Sequence, residues 1–133
     1  MANNYTQFSA MFLGDKETID ELEKRLEHFS STEQEEKDWD QWLYGIEYSK
    51  EDVAMWIYSE EGGNIDLLAD IIADLQTDLD LEEPWAFSWA NTCSKMRVDE
   101  FGGGACVIYK GEVFSVSTGL WAERKIQELK NNE

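Results

Sequence analysis

Between Asn64 and Pro84 two periodicities run through the same residues. Ile65, Leu68, Ile72, Leu75 and Leu79 recur at three- and four-residue spacing, while Asp66, Asp70, Asp74 and Asp78 recur at every fourth position. Only an α-helix turns both series into stripes, the aliphatic residues on one face and the aspartates on another. A helix of this length is marginal alone in water, so its apolar stripe needs a surface to lie against. Asn64 supplies an N-cap side chain, and Pro84 bars helix beyond the segment.

The surface comes from segments with a period of two. Residues 5–13 alternate, with Phe8, Ala10 and Phe12 on one face, and read as a strand. Gly14-Asp15 ends it and offers a cap to a first helix, whose stripe is Ile19, Leu22, Leu26 and Phe29. Asp20–Lys24 and Glu21–Arg25 are favourable i,i+4 pairs on its wet side. Trp42, Tyr44, Ile46 and Tyr48 alternate as a second strand, and residues 49–52 turn the chain into a third over 53–59. Residues 85–90 read as a fourth strand, with 91–104 as a long loop. Residues 105–109 and 112–117 make a hairpin across Lys110-Gly111. Ser117 or Thr118 caps a last helix, with Ala122, Ile126 and Leu129 facing in.

The order β-α-β-β-α-β, followed by a hairpin and a helix, predicts an α+β fold. The first six elements match the ferredoxin-like split βαβ plan, an antiparallel sheet with helices on one face. At 133 residues the chain fits one domain spanning 1–133. Its hydrophobic content of 42% and aromatic content of 13% exclude a disordered acidic tail. Residues 1–8 carry no basic, apolar leader and no apolar run reaches the ~18 residues of a membrane span, so a cytoplasmic protein is expected. Cys93 and Cys106 match no zinc or disulfide pattern, and reduced thiols are expected.

Charge is the second strong constraint. The net charge is −18, and residues 1–94 hold 23 acidic and 5 basic side chains while residues 95–133 hold six of each. From Glu51 to Ser94 there are eleven acids and no Lys or Arg. Acidity serving only solubility would spread over the surface; its concentration points to a basic protein partner. The Asp66–Asp70–Asp74–Asp78 ridge works against its own helix, since like charges at i,i+4 cost about 0.2–0.5 kcal/mol per pair. Asp80, Glu82 and Glu83 continue it past the helix end, where the macrodipole disfavours anions. The plain alternative is a solvated helix face.

Duplex DNA carries roughly 20 charges in about 34 Å, and a domain of this size has a radius of gyration near ~14 Å. The net charge is therefore of duplex-like density. In composition the chain resembles the nucleic-acid mimics that phages and mobile elements make against DNA-handling defence enzymes. The resemblance implies an inhibitor or adaptor, not an enzyme, that shows a DNA-like face to a nucleic-acid-handling protein. Direct nucleic-acid or membrane contact is not expected of it.

A second acidic cluster, Glu35, Glu36, Asp38 and Asp40 around Trp39, suits a basic, partly apolar partner, with Trp39 exposed and Trp42 in the core. Trp56 and Trp89 are also expected in the core. The alternative function is a small anion- or metabolite-binding domain, or a minor enzyme, built on the loop from Cys93 to Gly104. There Gly102, Gly103 and Gly104 could form an anion nest beside Lys95 and Arg97. A Cys93 nucleophile would need a base, and the sole histidine, His28, lies on the first helix. Asp78, Asp80, Glu82 and Glu83 are interrupted by Leu79 and Leu81, with no glycine to open a calcium loop. No metal or cofactor is expected.

Overall fold

The structure, a computed structural model, describes residues 4–31, 41–97 and 101–132. The described residues form an α+β arrangement of six strands and three helices: β1 (Asn4–Leu13), α1 (Lys16–Ser30), β2 (Glu47–Lys50), β3 (Ala54–Ser59), α2 (Ile65–Asp78), β4 (Trp85–Cys93), β5 (Gly102–Tyr109), β6 (Glu112–Ser117) and α3 (Thr118–Asn131). The strands form one open sheet in the order β2-β3-β1-β4-β5-β6. Every neighbouring pair is antiparallel.

Both early helices start where a side chain can cap them. Asp15 accepts from the Thr18 backbone N–H at 2.8 Å, and that bond holds its carboxyl below the usual range. Asn64 accepts from Leu67 N–H at 3.1 Å and donates to the Trp42 carbonyl. Their stripes meet one sheet face. Ile19, Leu22 and Leu26 of α1 and Leu68, Ile72 and Leu75 of α2 pack with Phe8, Phe12, Met55, Ile57, Phe87 and Ile108 in a single core. Gln76, only 1% exposed, joins α2 to the β5–β6 hairpin: its amide donates to the Ile108 carbonyl and accepts from Gly111 N–H. Lys110 and Gly111 both take positive φ, the two-residue turn that suits the twist of a hairpin.

Four expectations are corrected. The strand expected from Trp42 to Tyr48 is shorter: β2 is Glu47–Lys50. Residues 41–46 instead bury Leu43 and Ile46, with Leu43 N–H bonded to the Phe29 carbonyl and the Tyr44 carbonyl to Asn64 N–H. Trp56 is not core but 41% exposed. The pairing of β3 with β1 turns Met55 and Ile57 toward the helices, so Trp56 lies on the opposite face, stacked on Tyr58 and donating to Ser9 Oγ. Trp85 takes the buried place, and Trp89 packs half-buried against the core.

The loop expected over 91–104 is largely strand. Gly102, Gly103 and Gly104 pair with Asn91, Ala90 and Trp89 of β4. A Cβ on Gly104 would overlap the Trp89 ring, so this glycine clears space for an aromatic rather than opening a turn. Finally, α3 forms as expected behind its Ser117 cap, but Ala122, Ile126 and Leu129 do not face in; no residue of α3 is buried. The cause is its connection: Ser117 is both the last residue of β6 and the cap, so the helix leaves from the sheet edge and reaches its own chain through Leu120, Trp121 and Arg124.

Candidate functional site

Eight of the fourteen residues of α2 are buried, which leaves a narrow strip to solvent. Its exposed positions are Asp66, Asp70, Asp74, Thr77 and Asp78. At 1.5 Å per residue, Asp66 to Asp78 spans about 18 Å. Thr77 turns its hydroxyl to the Ala73 carbonyl, so outward polarity on this helix is almost wholly anionic.

The four aspartates are not equivalent. Asp78 pairs with Arg25 at 2.8 Å, and Arg25 also holds Glu21 at 3.1 Å. Asp66, Asp70 and Asp74 have no ion pair among the described residues. Partial burial, and then the carboxylates of Asp74 and Asp66, push the Asp70 carboxyl above the usual range. The first helix behaves differently: Lys50 on β2 bridges Asp20 and Glu23, and its hydrogen bond lowers the Asp20 carboxyl. The Asp20–Lys24 pair expected there is replaced by this cross-element contact.

Beside the strip lies a groove of about 520 Å³, with Asp66 and Asp70 on one wall and Phe87, Trp89, Trp121 and Arg124 among its other lining residues. Sequence reading missed it, because it joins α2, β4 and α3 with no local signal. Asp80 follows α2 in a left-handed conformation, and Glu82 and Glu83 are exposed after it. These two border a second groove with Asp15 and Met11, at the other end of α2 from Asp66.

The remaining candidates do not gather. Glu35, Glu36, Asp38, Trp39 and Asp40 lie outside the described residues. Lys95 and Arg97 are exposed beyond the end of β4, while Gly102–Gly104 are extended in β5, a backbone shape that does not make a nest. Cys106 is buried, and burial, with Asp66 and Asp70 adding, raises its thiol away from the reactive range. Cys93 ends β4 and His28 sits on α1. Among the described residues no three His, Cys, Asp or Glu side chains converge as a metal site, and no helix is long and apolar enough to cross a membrane. Comparison with protein-family models, with curated proteins and with solved structures found no match for this chain.

Proposed function

We propose that this chain is an acidic inhibitor or adaptor that presents a DNA-like negative face to a basic, nucleic-acid-handling protein, of the phage or mobile-element anti-defence or immunity-protein type. The observation that carries this reading is the solvent strip of α2. Asp66, Asp70 and Asp74 stand about 6 Å apart per step without an ion pair among the described residues, although Lys and Arg neutralise acids on α1. Three unpaired carboxylates in a row cost helix stability, and a partner that supplies the cations removes that cost. Asp80, Glu82 and Glu83 extend the face.

The reading places the protein in the cytoplasm, binding protein rather than nucleic acid or membrane and catalysing nothing. It also takes the first six elements as a ferredoxin-like split βαβ unit, supported by β1 lying between β3 and β4. The fold would be only a scaffold for the strip.

The test is competitive capture. Nucleic-acid-binding proteins retained on DNA-cellulose are passed over the immobilised chain, and duplex DNA is then added. The proposal expects retention that duplex DNA reverses and that weakens steeply with salt. Retention indifferent to duplex DNA would refute it.

A further inference from the structure

Among the described residues one apolar sheet face carries no helix, and one helix, α3, has no buried residue. Both core helices lie on the face of Phe8, Phe12, Met55 and Ile57. The opposite face carries two exposed apolar blocks. Met11 and Leu13 of β1 adjoin Trp56 of β3, and Val107 of β5 adjoins Phe114 of β6. Between them β4 offers only the small, exposed Ala86, Ser88 and Ala90. The two blocks bordering this trough stand two strand spacings apart, about 9.6 Å, close to the width of a helix.

α3 has the matching shape. Ala122, Ile126 and Leu129 recur at i, i+4 and i+7, and Ile126 and Leu129 are 52–58% exposed, while Trp121 lines the groove of Asp66 and Asp70 in its own chain. A 14-residue helix with no buried side chain is marginal in water. It cannot lie on its own trough, because β6 passes into it through Ser117 without a connecting residue. Folding back would undo the Ser117 cap, which accepts from Leu120 N–H, and the first turn.

We propose that two copies of this chain exchange α3, each laying the helix across the helix-free sheet face of the other. Charge selects a second copy as the occupant. Each chain carries −18, yet residues 95–133, which hold β5, β6 and α3, are balanced at six acids and six bases. The trough strand itself carries no charged residue from Trp85 to Cys93. Two copies meet through their least charged parts, while α2 with its Asp66–Asp70–Asp74 strip lies on the other face of each sheet. Area agrees. With about 100 Å² exposed per half-exposed large side chain, Ile126 and Leu129 on the helix and Met11, Leu13, Trp56 and Phe114 on the sheet, taken twice, reach about 1,200 Å², the lower end of stable interfaces.

The experiment is sedimentation equilibrium of the full chain from about 1 to 100 µM, a range that brackets micromolar association, with far-UV circular dichroism at each concentration. Expected are a mass of twice 15.4 kDa at the upper end, helix content that falls on dilution, and stronger association in 0.3 M than in 0.05 M salt as repulsion is screened. The double variant Ile126→Asp/Leu129→Asp on the helix and, separately, Ser88→Lys in the trough should each weaken association at least tenfold. A mixture of Leu129→Cys and Ser88→Cys chains should cross-link across copies. A parent that stays monomeric to 100 µM overturns the proposal. So does a dimer that survives both variants, which would indicate pairing through the open β6 edge. The variants Ile126→Asp/Leu129→Asp and Ser88→Lys change none of Asp66, Asp70 and Asp74, so failure of the dimer leaves the binding reading standing, and the reverse also holds.

Discussion

α2 and α3 have the same length and each carries an apolar stripe, yet they end in opposite circumstances. α2 buries eight of its fourteen residues and α3 none. α2 shows solvent a strip of unpaired aspartates, whereas α3 mixes Glu123, Arg124, Lys125, Glu128 and Lys130, with Lys125 on Glu128 at 3.3 Å. A 3.6-residue stripe therefore announces a helix that wants a surface, not which surface it gets. Connection decides that. α2 is reached through the Glu60–Asn64 turn, which leaves room to lie back on the sheet, while α3 leaves β6 directly.

The sharpest way to break this comparison is to truncate equivalent stripe positions. Leu68→Ala opens a cavity in a site with 0% exposure and should cost about 2–5 kcal/mol. Ile126→Ala at low protein concentration should change stability by no more than about 0.5 kcal/mol. Urea unfolding of both variants reads the contrast directly, and similar losses would mean that α3 is as embedded as α2. Next in size is Gln76→Leu, which strands the Ile108 carbonyl and the Gly111 N–H. A loss of about 1–3 kcal/mol for each buried group left unpaired is expected, with hairpin amide exchange speeding up first.

Smaller effects follow from charge. The Asp70 pKa is raised in the folded chain, so that state takes up its proton first. Stability should therefore rise as pH falls from neutral toward the ordinary carboxylate range. Asp15 and Asp20, whose pKa values are lowered, act the other way and withdraw stability as pH falls below that range. Melting curves across pH should show this dome for the parent, and Asp70→Asn should lose its rising limb. That variant should also be more stable at neutral pH by about 0.2–0.5 kcal/mol for each repulsive pair removed. Least of all, the thermal midpoint should climb between low salt and about 0.3 M NaCl; a flat midpoint would mean the acids are locally compensated.

Features with a local cause were legible in the sequence. Asp15 and Asn64 mark the helix starts because a cap needs only a side chain and an amide three residues on. Lys110-Gly111 marks the hairpin because two positive φ angles are needed there. The face chosen by a strand was not legible: Ala54-Met55-Trp56-Ile57-Tyr58 offers two apolar series, and the aromatic one lost to Met55 and Ile57 through pairing with β1. Gly102–Gly104 read as a loop, since nothing local reveals that Trp89 needs the space above Gly104. Within the site, the spacing of Asp66, Asp70 and Asp74 was plain. The neutralisation of Asp78 was not, because its partner Arg25 lies 53 residues earlier.

The proposed binding through the acidic face rests on those three unpaired aspartates. The decisive measurement is the salt dependence of binding between the chain and a protein recovered by DNA-reversible capture, compared with the Asp66→Asn/Asp70→Asn/Asp74→Asn variant. The account predicts that the variant keeps its fold, binds more weakly and shows a flatter slope of log K against log salt, because fewer charge pairs form. A variant that binds as tightly as the parent, with the same slope at every salt concentration, would reduce the strip to a wet helix face and contradict the account.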